Sequence, residues 1–303
     1  MSLAPIALFV YNRLEHLEKT INALQNNILA LDSELYIFSD GAKDEKSSEQ
    51  VNKIRKYIKT ISEFKKIIVI EREKNLGLAN SIISGVTEVI NKYGKIIVLE
   101  DDMVTSRYFL KYMNEALEYY ENEDRVISIH GYIYPVKKEL PNTFFMKGAD
   151  CWGWATWKRG WDLFEHDGKK LLQELENKKL TYEFDFNGSY IYIDILKAQV
   201  TGINSSWAIR WYASAFLKDR LTLYPGKSLV QNIGLDGIGT HCKITNVYDS
   251  NLADNRIKID CISLKENKSA RKQIEKYFRS ISSNRKGFWH KIRNNIKRII
   301  KNA

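Results

Sequence analysis

Lys95–Leu99 reads KIIVL and runs straight into Glu100-Asp101-Asp102, an apolar run ending on three consecutive carboxylates. A short run rich in isoleucine and valine has the pattern of a buried strand. Upstream of it, Ala79–Tyr93 has helical spacing, Lys66–Ile70 (KIIVI) is strand-like, and Val51–Phe64 is helical again. Glu34–Ser39 (ELYIFS) reads as a further strand, stopped by Asp40-Gly41. Before that, Leu14–Leu31 places Leu14, Leu17, Ile21, Leu24 and Ile28 on one helical face. The opening strand is Pro5–Tyr11 (PIALFVY), ended by Asn12-Arg13.

Strand alternating with helix four times predicts an α/β fold, a mostly parallel central sheet with helices on its faces. Ligands of such sheets bind outside the carboxyl ends of the strands. Asn12-Arg13, Asp40-Gly41 and the acidic triplet all fall at such ends, so three strand ends are expected to border one crevice.

Downstream the pattern becomes mixed. A helix is expected at Tyr108–Glu121 and strands at Val126–His130 and Thr143–Met146, followed by the tryptophan-rich stretch Cys151–Trp161. Helical segments follow at Leu171–Leu180, Ile191–Thr201 and Trp207–Lys218, then a strand or turn at Leu221–Tyr224 and a glycine-rich segment, Asn232–His241. No linker, internal repeat or low-complexity tract divides this region from the sheet. The expected organisation is one domain over 1–250, with a nucleotide-binding half (1–105) and an acceptor half (106–250), then a helical basic extension over 251–303.

The net charge of +10 invites a nucleic-acid partner, but distribution decides better than the total. Arg285, Lys286, Lys291, Arg293, Lys297, Arg298 and Lys301 fall in one stretch with no acidic residue, so the body carries little excess and no nucleic acid is expected. Cys151, Cys242 and Cys261 are odd in number and form no CxxC pair, which argues against a zinc site or a disulfide framework. No signal-peptide pattern and no apolar stretch of about 18 residues is present, so a cytoplasmic protein is expected.

Adjacent carboxylates at a strand end repel unless that repulsion is used. Mg²⁺ or Mn²⁺ typically joins one or two carboxylates to substrate phosphates. The competing role for Asp101 or Asp102 is an N-cap for the helix beginning near Thr105.

In order along the chain, PIALFVYNR, FSDGAKDE, EKNLGLANSI and VLEDDMVTSRYF resemble the GT-A glycosyltransferases of the family 2 type. The longer run VLEDDMVTSRYFLKYM is also similar to the N-acetylglucosaminyltransferase I group. CWGWATWKRGW, SSWAIRWYASAF and LTLYPGKSLVQNIGLDGIGTHC resemble a bacterial subset acting on cell-surface polysaccharide. The resemblance covers roughly residues 4–243 and implies a GT-A fold, a nucleotide-sugar donor, UDP-linked by expectation, and a Mn²⁺ or Mg²⁺ cofactor. It further implies an inverting transfer to a glycan or lipid-linked glycan acceptor in surface polysaccharide synthesis. Residue by residue, it implies that Asn12 and Arg13 lie near the nucleotide and that Asp40 contacts base or ribose. Asn75 and Leu76-Gly77 would flank the diphosphate and sugar. Asp102 would be the principal metal carboxylate, Asp101 and Glu100 would hold donor sugar or an outer water, and His241 would be a late metal or diphosphate ligand.

An inverting transferase needs a general base, normally a carboxylate. The related eukaryotic group has acidic residues beside a tryptophan in the acceptor region, whereas Trp207-Ala208-Ile209-Arg210-Trp211 has none. Asp150, Asp194 and Asp236 remain, with Asp150 preferred and Asp236 next. Trp154, Trp157 and Trp161 share helical spacing and are expected on a buried helical face, while Trp152 or Trp154 is a candidate to stack on a sugar. Arg210 is a candidate for a phosphate or acceptor acid, or for a structural ion pair.

Phe288, Trp289, Ile292, Ile296, Ile299 and Ile300 fall on one helical face with Lys and Arg around them. That pattern suits an anionic membrane interface and a peripheral position on an inner membrane face, the alternatives being a final helix packed on the body or an RNA-binding tail. Two alternatives stand beside the transferase reading. One is a non-catalytic glycan- or nucleotide-binding protein on the same fold. The other is a sugar nucleotidyltransferase, although Tyr11-Asn12-Arg13-Leu14 lacks the glycine-rich loop such enzymes use after the first strand.

Overall fold

The computed structural model describes residues 2–237 and 245–282. The first half is β1 (Ile6–Val10), α1 (Leu14–Gln25), β2 (Glu34–Ser39), α2 (Glu45–Ile58), β3 (Lys66–Glu71), α3 (Leu78–Tyr93) and β4 (Lys95–Glu100). The second adds β5 (Met103–Thr105), α4 (Phe109–Tyr119), β6 (Val126–His130), β7 (Thr143–Lys147), β8 (Trp154–Trp157), α5 (Lys158–Trp161) and α6 (Gly168–Asn177). The remaining elements are α7 (Thr181–Phe184), α8 (Tyr192–Val200), α9 (Trp207–Leu217), β9 (Leu221–Pro225), β10 (Val230–Asn232) and α10 (Lys268–Ser282).

Eight strands form one sheet in the order β3-β2-β1-β4-β8-β6-β9-β7. The first four are parallel neighbours, as the strand–helix alternation requires. β8 runs antiparallel between β4 and β6, β9 is parallel to β6, and β7 closes the edge antiparallel to β9. β1 and β4 are therefore interior strands, and the residues after them leave the sheet side by side. β5 departs from the sheet and pairs antiparallel with β10, Met103 opposite Asn232.

The sheet buries apolar residues on both faces. Leu8, Ile97, Leu99 and Ile129 belong to the core on one side, and Ala7, Phe9, Ile96, Val98 and Ile127 to the core on the other. Such continuous burial explains why these strands read as unbroken apolar runs rather than alternating ones.

Three local expectations are corrected. α1 ends at Gln25, not Leu31, because the buried Asn27 side chain bonds Thr105 and the Leu110 amide, which turns Ile28 out to solvent. α2 begins at Glu45, six residues early, because Asp44 and Ser47 form a reciprocal cap. Trp154 and Trp157 lie on a strand, not a helix, so they point to opposite faces and enter different cores. Trp154 is wholly buried against Trp161, Trp207 and Trp211, and a sugar cannot reach it.

The described part of the 251–303 segment packs on the body. α10 buries Ala270, Ile274 and Phe278, and its Arg271 pairs with Glu266 and Glu275 at 3.0 and 3.2 Å. The expected membrane-facing helix, Phe288–Ile300, lies outside the described residues.

Candidate active site

The turn after β1 carries Arg13 beside the acidic triplet at the end of β4. Its guanidinium pairs with Asp101 through Nη2 and lies 2.9 Å from Asp102 Oδ2 through Nη1. Asp101 also accepts weakly from the Tyr11 amide, and its carbonyl takes the Thr20 hydroxyl at 2.9 Å. Both carboxylates are buried, and Asp102 Oδ1 has no hydrogen-bond partner among the described residues.

Burial and the charges of Asp102 and Asp101 push the half-buried Glu100 up to about 8. Burial likewise pushes Asp101 up to about 6, against the pull of Arg13. For Arg13, burial opposes the charge, but the two carboxylates outweigh it and raise the pKa. The group is thus three poorly solvated carboxyls, Glu100 tending to hold its proton and Asp101 and Asp102 held by one cation.

The described part of the glycine-rich segment, residues 232–237, packs against this patch. The Ile233 amide donates to the Asp102 carbonyl at 2.9 Å, which continues the β5–β10 pairing. A Cβ on Gly234 would stand 2.0 Å from Asp102 Oδ2 and 2.8 Å from Arg13 Nη1, so any larger residue there must displace the Asp102 carboxylate. Two residues on, Asp236 pairs with the buried His16 of α1, Nε2 to Oδ2 3.0 Å. His241 lies outside the described residues.

At the end of β2, Asp40 is buried and accepts from the Leu76 and Gly77 amides at 2.9 and 3.0 Å. Asn75 reaches back to the Gly41 carbonyl at 2.8 Å. Gly77, at φ +72°, turns this loop into α3 in a conformation other residues rarely adopt. Asp40 therefore orders the 75–77 loop in addition to the base or ribose contact expected of it. Asn12 sits half-buried on the turn before Arg13.

Asp150 lies on the segment between β7 and β8. Its Oδ2 accepts from the Tyr134 hydroxyl at 3.1 Å and its Oδ1 from the Cys151 amide at 2.8 Å. It borders a cavity of about 140 Å³ lined by Tyr134, Phe186, Tyr192, Ile209, Tyr212 and Tyr224, among others, with no Lys or Arg in its wall among the described residues. Burial raises the Cys151 thiol pKa, and so do the charges of Asp150, Glu100 and Asp102, which places Cys151 between the acidic triplet and this cavity. His130, at the end of β6, is wholly buried, and its Nε2 is 3.8 Å from Asp150 Oδ2. Burial lowers its pKa to about 4, against the pull of Asp150, so the ring is neutral at neutral pH.

Two further candidates lie on helices. Arg210 donates to the carbonyls of Ser206 and His166 at 3.2 and 3.1 Å, which is a structural role. Asp194 sits in the first turn of α8. Trp152 is partly buried, edge-on to Tyr132 and Tyr248, on the chain just past Asp150. Sequence reasoning passed over Gly234, His16, Tyr134 and His130. Only His130 carried a signal, as the polar end of the strand VISIH.

Asp102 and Asp101 suit a divalent ion. They are hard oxygen donors, one oxygen is orphaned, and such ions commonly take one or two carboxylates and complete their shell with substrate phosphate and water. Among the described residues no third His, Cys, Asp or Glu joins them as a ready cage.

The family model for glycosyl transferase family 2 matches residues 6–190. No curated protein matches the chain. Among solved structures, the mannosyltransferase PcManGT from Pyrobaculum calidifontis, in complex with GDP-Man and Mn²⁺, aligns at 13% identity and TM-score 0.30 over 44% of this chain and 36% of its own. The 1-349 crystal structure of S. aureus TarS aligns at 11% identity and TM-score 0.41 over 75% and 59%. The chain thus spans less than two thirds of the length of either.

Proposed function

The chain belongs to glycosyl transferase family 2 and is a glycosyltransferase, and from that membership we propose that it moves a sugar from a nucleotide-diphosphate sugar, UDP-linked, to a glycan or lipid-linked glycan. The observation that carries the donor side is the buried pair Asp101–Asp102, with Asp102 Oδ1 unpartnered among the described residues, at the carboxyl end of an interior strand. Asp102 and Asp101 would hold Mn²⁺ or Mg²⁺, which neutralises the charge that collects on the departing diphosphate.

The chain's own residues do the rest. Arg13 sits where a phosphate oxygen can take one of its N–H groups once the carboxylates are shared with an ion. Glu100, half-buried beside them, is poised to hold a donor-sugar hydroxyl. Asp40, Asn75 and Gly77 shape the loop that borders the nucleotide. On the acceptor side Asp150 takes the proton of the attacking hydroxyl, whose oxygen bonds the anomeric carbon as the bond to diphosphate breaks, with inversion. Asp236, engaged with His16, is the second candidate for this role.

Thermal denaturation with UDP, GDP and dTDP, each with and without Mn²⁺, tests the donor side. One nucleotide should raise the midpoint only with the metal, and Asp102→Ala should abolish the rise. A metal-dependent rise that survives in Asp102→Ala removes the metal role.

No described helix is long and apolar enough to cross a membrane. The basic, apolar sequence Phe288–Ile300 supports attachment to an anionic inner-leaflet surface, where a lipid-linked acceptor would reside. Truncation after Asn284 should release the protein from anionic liposomes and spare nucleotide binding; equal liposome binding by the shortened form would refute the attachment.

A further inference from the structure

We propose that His130 is a positioning residue for Asp150, a neutral imidazole whose N–H aims the carboxylate at the acceptor hydroxyl. The inference rests on the reading of Asp150 as the base.

His130 ends β6 with no exposed surface, its ring edge-on to Tyr224 at 4.9 Å and Tyr132 at 6.3 Å. Neither ring nitrogen has a hydrogen-bond partner among the described residues. A buried N–H with no acceptor is costly, and a phenyl ring would fill the same space without that cost. Packing alone therefore does not account for a histidine here. The acceptor within reach is Asp150 Oδ2, at 3.8 Å from Nε2, within about an ångström of hydrogen-bonding range. A small rotation of the carboxylate closes that gap.

The surroundings of Asp150 make such a donor matter. From β6 and the turn after it come His130, Tyr132 and Tyr134, from α8 and α9 Tyr192 and Tyr212, from β9 Tyr224, and from its own segment Cys151. All are neutral near pH 7, and among the described residues no Lys or Arg lines the cavity. With no lining cation to orient it, the carboxylate takes its direction from neutral donors: the Tyr134 and Tyr224 hydroxyls, the Cys151 amide and thiol and, once the gap closes, His130. Neutral donors aim a base without suppressing its basicity as strongly as a salt bridge would.

The test reads Asp150 directly, with no need of a known donor sugar. In the full chain labelled with aspartate ¹³C at the carboxyl carbon, the resonance lost in Asp150→Asn is followed against pH. A donor to the charged form lowers a carboxyl pKa, so His130→Phe should raise the midpoint by about half to one unit. His130→Gln, which keeps an N–H, should stay near wild type. If His130→Phe does not fold, His130→Leu is read in its place. A midpoint unmoved in the apolar variant, or moved equally in His130→Gln, overturns the proposal. Where turnover is measured, the acid limb of kcat should move by the same amount with the donor KM unchanged. Full turnover by Asp150→Asn would instead remove Asp150 as the base while the titration result stands.

Discussion

Nη1 of Arg13 stands 2.9 Å from Oδ2 of Asp102, so the turn after the first strand and the end of the fourth are joined into one charged unit. The same guanidinium holds Asp101. Arg13 and a divalent ion would therefore share the same two carboxylates, the ion taking the unpartnered Oδ1 of Asp102.

Arg13→Ala leaves two buried carboxylates facing each other without a cation. Breaking such a pair from one side costs roughly 3–5 kcal/mol, read as a lower denaturation midpoint. Mn²⁺ should then restore more stability to the variant than it adds to wild type, since it replaces the missing charge. Equal Mn²⁺ increments in both would show that guanidinium and ion do not share these carboxylates.

Gly234→Ala places a methyl 2.0 Å from Asp102 Oδ2. Asp102 must move, so nucleotide- and Mn²⁺-dependent stabilisation should fall sharply while the far-UV circular dichroism stays at wild type. Retained stabilisation would mean the segment yields and does not define the pocket.

Asp40→Ala strips the acceptor from the Leu76 and Gly77 amides. The loss should be about 1–3 kcal/mol. Hydrogen exchange localises it: the amides of residues 76 and 77 should exchange much faster, with little change in α3 beyond its first turn. Unchanged exchange there would show that another group holds the loop.

His130 makes the fold acid-sensitive. Its folded pKa, about 4, lies below the unfolded value of 6.5, so between these two the unfolded chain binds more protons. Its contribution is fully present above about pH 6.5 and is lost progressively as pH falls towards 4, by up to about 3 kcal/mol. His130→Phe should flatten that part of the stability–pH curve. Parallel curves for variant and wild type would count against a neutral, buried imidazole.

The two halves of the chain were unequally legible. β2 and β6 begin and end where their sequence patterns do, and Lys95–Leu99 falls one residue short of β4, because strands buried on both faces leave apolar runs with sharp polar ends. Trp154–Trp157 misled because two tryptophans three apart suit one helical face or two strand faces equally well. Leu14–Leu31 overran because Ile28 kept the period although Asn27 had already bonded elsewhere.

Four strand–helix units and a row of carboxylates at a strand end are written in the chain's local pattern, since periodicity and strand termini are properties that neighbouring residues alone encode. Three relationships arise only once the chain is folded: Arg13 spans Asp101 and Asp102, Gly234 lies against them from more than a hundred residues away, and His130 stands 3.8 Å from Asp150. Those contacts depend on strand order, with β4 beside β1 and β8 between β4 and β6. Strand order follows from how the whole chain buries two apolar faces at once, which no local window contains.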